Sequence, residues 1–393
     1  MLEGVNVALC ISGSIAAVRS TELAHELRRR GASVRGVMTD AARGIIHPWS
    51  VEFATERPVV TEITGDVEHV ELCGREGWAD VLLLAPATAN TVGKIAAAID
   101  DTPVTTCATT ALGSGIPVVI VPAMHEPMYD HPGVTDAIAR VESWGVSFVP
   151  PRIEEGKAKI ASENAIYLAT ARAAGEQPLA GKEVVVTSGA TAERIDPVRV
   201  LTNRASGRTG RAIAQACYVR GADVTLVQGT GAGGGTDAAV PYATTERVES
   251  AAEMLAAVED HAGKAEKVDA LVSAAAISDY TTDAAAEKIR SGGEMTLSLA
   301  PTPKLLDTIR ESYSDLTMVG FKAETSGDDE AMIEEARELL DRAGLAFVIA
   351  NDASVMGGAE TRVLVVRRGD VAPFAGSKAD LGLRVADELT AEL

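Results

Sequence analysis

Aromatic residues make up only 4% of the 393 positions, so any core must be built mainly from other side chains. Hydrophobic residues nevertheless reach 46%, which leaves Ala, Val, Ile and Leu as the packing material. That is the usual substance of parallel sheets covered by helices. Cysteine is scarce as well. Cys10, Cys73, Cys107 and Cys217 are scattered and form no C-x-x-C pair, which argues against a disulfide framework or a zinc site and leaves buried structural thiols. No run of about 18 uncharged apolar residues occurs, so a membrane span is not expected. Lysine is rare too: 10 Lys accompany 26 Arg, against 56 acidic residues, for a formal charge of −20. Such an excess of carboxylates disfavours nucleic-acid binding and fits a protein adapted to a high-salt cytoplasm. Anionic substrates would need local basic pockets. No basic leader precedes the first strand-like run, and a cytoplasmic protein is expected.

What is present is alternation. Apolar runs at 5–11, 33–38, 81–85 and 118–121 predict buried strands, and the segments 16–30, 89–99 and 134–144 carry helical periodicity. The pattern loosens from 150 to 182, apart from a helix near 163–173. It then restarts with strands at 184–186, 224–227, 270–273, 318–320, 347–350 and 363–366. Helices around 210–220, 248–261, 304–311 and 331–342 intervene, and a last one closes the chain. The expectation is an α/β protein of two doubly wound, Rossmann-like domains with mainly parallel sheets, 1–175 and 176–393. Ligands would sit at the C-terminal strand ends. The Gly-rich stretch 229–235 lacks G-K-[ST] and reads as a loop, not a Walker phosphate loop.

Three turns in the first half follow strands. Ser12-Gly13-Ser14-Ile15-Ala16-Ala17 is small enough for backbone N–H groups to approach a phosphate, or for a plain tight turn. It lacks the dinucleotide fingerprint G-x-G-x-x-G, which lowers the case for nicotinamide. Ala85-Pro86-Ala87-Thr88-Ala89-Asn90-Thr91 puts hydroxyl and amide groups past a strand, where Thr88 could equally be an ordinary N-cap. Val121-Pro122-Ala123-Met124-His125-Glu126-Pro127-Met128-Tyr129 is the third. Together with Glu68-His69-Val70-Glu71-Leu72, these motifs resemble the flavin-containing cysteine decarboxylases, specifically phosphopantothenoylcysteine decarboxylase. The resemblance implies FMN held by Gly13, Ser14, Ile15, Thr39, Pro86, Ala87, Thr88 and Asn90. It also implies His69 as the base for flavin oxidation of the thiol, which makes the carboxylate able to leave. Two departures stand out. His125 replaces the family's carboxylate-binding Asn, and the clamp segment Glu155-Gly156-Lys157-Ala158-Lys159 lacks the family's Cys. Lys157 or Lys159 would then close over the substrate and donate the proton, or else both are simply solvated charge.

In the second half, Thr187-Ser188-Gly189-Ala190-Thr191-Ala192-Glu193-Arg194-Ile195-Asp196-Pro197-Val198-Arg199 leads to Leu201-Thr202-Asn203-Arg204-Ala205-Ser206-Gly207-Arg208-Thr209-Gly210. A polar loop flowing into a Gly- and Arg-rich helix start is a natural phosphate seat. With Ala274-Ala275-Ala276-Ile277-Ser278-Asp279-Tyr280, Glu287-Lys288-Ile289-Arg290 and the segments around Phe321 and Asn351, it resembles phosphopantothenate–cysteine ligase. That resemblance implies CTP as co-substrate, with Mg2+, activating a carboxylate as an acyl-cytidylate that Asn203 contacts. Ala275, Asp279, Lys288, Pro303, Lys304, Leu305, Leu306 and Phe321 would bind the nucleotide. A solvated Lys288 and an N-capping Asp279 are the plain alternatives. Two family lysines fall at Leu339 and Ala343, with Arg337 and Arg342 close enough to compensate.

The combined resemblance implies a bifunctional enzyme of coenzyme A biosynthesis. Its partners would be phosphopantothenate, cysteine, CTP and phosphopantothenoylcysteine, with no nucleic acid and no membrane. It also implies a homo-oligomer, up to a dodecamer. The alternative is an active ligase with a degenerate or differently specific flavin half.

Overall fold

Residues 7–11, 81–84 and 118–121 are buried along their whole length, which is why they read as unbroken apolar runs instead of alternating ones. They form the centre of the first sheet in a computed structural model that describes residues 1–154, 157–231, 240–264, 268–290, 292–324, 328–352 and 360–393. The chain divides into two units, Met1–Glu176 and Gln177–Leu393.

In the first unit the strands are β1 (Asn6–Ile11), β2 (Ser33–Met38), β3 (Val81–Ala87), β4 (Val118–Pro122) and β5 (Ser147–Phe148). They pair in parallel in the order β2-β1-β3-β4-β5. A hairpin of β6 (Arg152–Glu154) and β7 (Lys157–Lys159) stands apart. The helices are α1 (Ser20–Arg29), α2 (Asp40–Arg43), α3 (Pro48–Thr55), α4 (Glu68–Cys73), α5 (Ala89–Ala96), α6 (Pro103–Ser114), α7 (Glu126–Tyr129), α8 (Pro132–Glu142) and α9 (Glu163–Ala174).

The second unit contains β8 (Glu183–Ser188), the hairpin β9 (Ala192–Arg194) and β10 (Val200–Thr202), β11 (Asp223–Gly229), β12 (Thr244–Val248) and β13 (Ala270–Ser273). Then follow the short pair β14 (Tyr280–Thr281) and β15 (Ala300–Pro301), β16 (Thr317–Glu324), β17 (Phe347–Asp352), β18 (Glu360–Val366) and β19 (Val371–Ser377). Its main sheet runs β12-β11-β8-β13-β16-β17-β18-β19, parallel as far as β17 and antiparallel in the last two pairs. The helices α10 (Arg208–Val219), α11 (Ala251–Ala262), α12 (Leu305–Ser312), α13 (Asp329–Arg342) and α14 (Lys378–Thr390) cover it. The α/β class and the predominantly parallel sheets expected from the sequence are present in both units.

Several elements differ from expectation. The single helix read at 16–30 is a 3-10 turn, Ile15–Arg19, followed by α1, because Ser14 spends its hydroxyl capping the turn and Ser20 is buried with its hydroxyl 3.3 Å from the Ala85 carbonyl. The helix read at 248–261 starts at Ala251 after the Ser250 cap, and Val248 instead ends β12. Helix α6 gave no clear apolar period because it is threonine-rich. Its Thr106 and Thr110 hydroxyls bond back to carbonyls four residues earlier, at 2.9 and 2.8 Å. The Gly-rich stretch beyond Gly231 lies outside the described residues.

Candidate active sites

In the first sheet the chain steps from β1 to β2 on one side and to β3 on the other. A crevice outside the carboxyl ends of β1 and β3 is where an open sheet of this order binds ligands. The residues at that point are tied together by hydroxyls. Ser12 Oγ donates to the Pro86 carbonyl at 2.8 Å and accepts the Thr88 N–H at 3.0 Å. Ser14 Oγ donates to the Ala123 carbonyl at 2.9 Å and accepts the Ala16 N–H at 3.3 Å. The turns after β1, β3 and β4 thus form one rim, closed further by the Ala123 N–H on the Ala87 carbonyl at 2.9 Å. Thr39, past β2, is buried beside it; its N–H donates to the Ile11 carbonyl at 3.1 Å and its hydroxyl caps α2. Thr88 does cap α5, accepting the Thr91 N–H at 3.2 Å, so its structural role is real.

The structure therefore brings Gly13, Ser14, Thr39, Pro86, Ala87 and Thr88 to one place. Ile15 and Asn90 flank them with exposed side chains, and the Asn90 amide has no partner among the described residues. His69 stands on α4, half-buried, and its Nδ1 is enclosed without a hydrogen-bond partner among the described residues. An enclosed ring nitrogen with nothing to bond is costly unless a ligand or water meets it. His125 occupies the N-cap position of α7 but makes no capping bond and is exposed. The hairpin β6–β7 packs against α7, which carries Lys157 towards the helix that His125 begins. The side chain of Lys157 lies outside the described residues. A cavity of about 320 Å3 lies in the same unit, lined by Ser20, Ala85, Arg152 and the ion pair of Arg19 with Glu163 (2.9 Å).

All four cysteines are free and buried, as their scatter implied. Burial raises the Cys10 thiol, contact with Cys73 and burial raise that of Cys107, and burial pushes Cys217 up to about 12. Thiols held in this way are packing groups rather than nucleophiles.

In the second unit the corresponding crevice lies between β8 and β13, again where the strand order reverses. Gly189 (φ 85°) and Gly207 (φ 68°) face each other there. A Cβ on Gly207 would come within 2.8 Å of the Gly189 backbone, so neither position accepts a side chain. Gly207 is the N-cap of α10 and offers no side-chain cap, which leaves the first N–H groups of that helix open to an anion. Asn203 is already engaged: Nδ2 donates to the Ala276 carbonyl at 2.8 Å and Oδ1 accepts the Ala205 N–H at 3.0 Å. Ala275 donates its N–H to Thr187 Oγ1 at 3.1 Å. The segment after Thr302 is laid against the β13 loop, because the Thr302 N–H meets the Asp279 carbonyl at 2.9 Å and its hydroxyl meets the Ser278 carbonyl at 2.6 Å. Lys304 Nζ pairs with Asp279 Oδ1 at 2.5 Å, both exposed, so Asp279 is not a helix cap. Pro303 is exposed, Leu305 is buried in the core and Leu306 packs against it, so these two leucines present backbone rather than side chain. Phe321, on β16, is half-buried, and Lys288 is exposed with no ion-pair partner among the described residues.

Leu339 and Ala343 pack on the core side of α13, whereas Arg337 and Arg342 point outwards. Arg342 is paired with Asp307 at 3.2 Å, and Arg337 lies among Glu330, Glu334, Glu338 and Asp341. Around the helix Arg337 lies about 200° from Leu339 and Arg342 about 60° from it, with the Arg342 guanidinium held by Asp307. Sequence reading also gave no role to Glu193 and Asp196, which are buried carboxylates with full sets of donors. Their signal was an acidic residue placed inside an apolar, Pro-containing turn.

Among the described residues no group of three or more His, Cys, Asp or Glu could hold a metal ion, and no helix is long and apolar enough to cross a membrane. Residues 1–174 match the family described as Flavoprotein, and residues 179–393 match the DNA/pantothenate metabolism flavoprotein C-terminal domain. The coenzyme A biosynthesis bifunctional protein CoaBC of Thermococcus kodakarensis is 46% identical, covering 99% of this chain and 95% of its own length. The proteins of the same name from Methanocaldococcus jannaschii and Bacillus subtilis are each 34% identical. They cover 99% and 100% of this chain, and 94% and 98% of their own lengths.

Proposed function

The chain belongs to the family of bifunctional coenzyme A biosynthesis proteins, and from that membership we propose specific roles for the two crevices just described. It is a phosphopantothenoylcysteine decarboxylase in its first half and a phosphopantothenate–cysteine ligase in its second. The proposal concerns which residues do the work, and which cofactors they hold.

In the first unit the rim of Gly13, Ser14, Thr39, Pro86, Ala87 and Thr88 holds FMN, with Ile15 and Asn90 at its edge. The fit rests on the small residues at the switch point and on an amide, that of Asn90, left over for a polar ring. Bound there, FMN supplies the electron sink that lets the cysteine carboxylate leave. His69 takes the thiol proton, a task for which the enclosed and unpartnered Nδ1 leaves the imidazole uncommitted. His125 donates to the substrate carboxylate, and Lys157 on the hairpin returns the proton at the end.

In the second unit the open start of α10 and the Gly189–Gly207 contact receive the CTP phosphates, with Lys288 as a cation that has no ion-pair partner among the described residues and Mg2+ arriving on the triphosphate. Asp279 and Lys304 border the nucleotide, with Ala275, Pro303, Leu305, Leu306 and Phe321 along it. Asn203 keeps one amide hydrogen for the acyl-cytidylate. Exposed Ile15, Val18, Trp49 and Phe53 in the first unit fit self-association, and a dodecamer is part of the same reading.

The single observation that carries the assignment is the hydroxyl stitching of three strand ends by Ser12 and Ser14, which builds a ligand rim where the sheet order reverses. Two assays test it. Phosphopantothenate, cysteine and CTP should yield pyrophosphate, and purified phosphopantothenoylcysteine should release carbon dioxide from a yellow protein. A colourless chain that neither takes up FMN nor binds CTP would overturn the assignment.

A further inference from the structure

The loop that follows β13 carries Asp279 and Lys288, yet it contains little regular structure of its own. Its shape is imposed from outside by the β9–β10 hairpin. Thr191 Oγ1 accepts the Ser278 N–H at 2.9 Å, and Glu193 Oε2 accepts the Thr281 hydroxyl at 2.8 Å. The Ile195 carbonyl accepts the Ala285 N–H at 2.9 Å. The last hold lies next to Lys288. Asp196 Oδ2 accepts the Ile289 N–H at 3.1 Å, while Arg199 Nη1 donates to the Ile289 carbonyl at 3.0 Å and also pairs with Asp196. Both backbone polar groups of Ile289 are thus gripped by one ion pair.

Asp196 is itself held rigidly. It is buried, and Oδ1 accepts the N–H groups of Val198 and Arg199, both at 2.8 Å. A carboxylate with four donors cannot turn, and its direction is set by the Asp-Pro-Val-Arg turn. Lys288, one residue away, is exposed and forms no ion pair among the described residues, in a chain whose formal charge is −20. A cation left uncompensated there, on a backbone so firmly clipped, is placed for an anion that comes from solution.

We infer that Asp196 and Arg199 act as a positioning clip, fixing the backbone of Ile289 so that Lys288 meets the phosphates of CTP. The inference rests on the ligase reading of the second unit and extends it to residues that do not touch substrate. The clip serves nucleotide binding and activation, not the later attack by cysteine. Asp196→Asn would set an amide NH2, or a half-strength oxygen, against the Ile289 N–H and the Arg199 guanidinium, and the segment would slip.

The test uses the full chain and follows pyrophosphate release at varied CTP and varied cysteine. Asp196→Asn should raise the KM for CTP on the order of ten- to a hundredfold, the scale seen when a supporting contact lets a binding group drift. The KM for cysteine should stay within about twofold, and carbon dioxide release by the first unit should be unchanged, since that unit lacks the clip. Arg199→Gln keeps all three N–H bonds to Asp196, so the turn should survive if Asp196→Asn does not fold, and it should raise the same KM. In Lys288→Gln, adding Asp196→Asn should cost little more, because the clip acts through that lysine. Independent, additive losses in the double variant would overturn the inference, as would an unchanged KM for CTP in both clip variants while the parent chain is active. A parent chain with no CTP-dependent pyrophosphate release would instead sink the ligase reading, and the clip with it.

Discussion

Ser14, just after β1, donates its hydroxyl to the carbonyl of Ala123, just after β4, at 2.9 Å. Its neighbour Ser12 donates to the Pro86 carbonyl near the end of β3 and accepts the Thr88 N–H just beyond it. The rim proposed to hold FMN is therefore tied by two side chains from one turn, and damage to that turn should reach the cofactor before it reaches the fold. Ser12 is wholly buried, and its loss strands the Thr88 N–H. Leaving such a donor unpaired costs about 1–3 kcal/mol. Ser12→Ala should therefore weaken FMN retention by roughly five- to a hundredfold, measured as flavin absorbance after dialysis, with thermal unfolding of the second unit unaffected. Full retention of flavin would remove Ser12 from the rim.

The order of the two sheets could be anticipated only in part. Buried parallel strands advertise themselves as apolar runs, and β1, β2, β3, β4, β8, β11, β13, β16 and β17 all fall on runs read from the sequence. Strands β12 and β19 did not, because they are only partly buried and carry mixed residues. The site turns were legible because small and polar residues follow directly on those runs. Glu193 and Asp196 were not, since only the folded chain brings Thr281 and Ile289 against them, 88 and 93 residues away. The same holds on α13, where nearness in sequence does not tell that Leu339 packs on the core while Arg337 and Arg342 are exposed.

His69 should separate the two activities. The residue lies on α4 of the first unit, with an enclosed nitrogen that has no partner among the described residues. His69→Asn should lower carbon dioxide release by about 10²–10⁴-fold, the range of a lost general base. Pyrophosphate release by the ligase should stay at the parent level. Loss of both together would contradict separate sites.

Helices α10 and α14 pack closely through Gly382, where an added Cβ would lie 2.5 Å from the Ala212 carbonyl oxygen. That contact is backbone, which cannot swing aside. Gly382→Val should destabilise the second unit by about 1–3 kcal/mol through overpacking. Because α10 begins at the proposed phosphate seat, a rise in the KM for CTP should accompany the lower unfolding midpoint. An unchanged midpoint would mean that α14 can retreat from α10 freely.

The Asp196 clip also makes a prediction about acid. Burial raises the Asp196 carboxyl, but the N–H groups of Val198, Ile289 and Arg199 and the Arg199 guanidinium outweigh it and bring it to about 2, below the ordinary 3.8. A carboxylate depressed in the folded state adds stability that is fully present above its unfolded value and disappears as the pH falls through the folded one. Between roughly pH 4 and pH 2, then, protonation favours the unfolded second unit. The unfolding midpoint of the parent chain should fall across that window, and part of the fall belongs to Asp196. Asp196→Asn has no such proton to gain, so its midpoint should start lower at neutral pH and converge on the parent's as the pH approaches 2. Parallel curves for the two proteins over the whole range would show that the buried carboxylate is not ionised in the fold, and the charge-assisted grip on Ile289 would go with it.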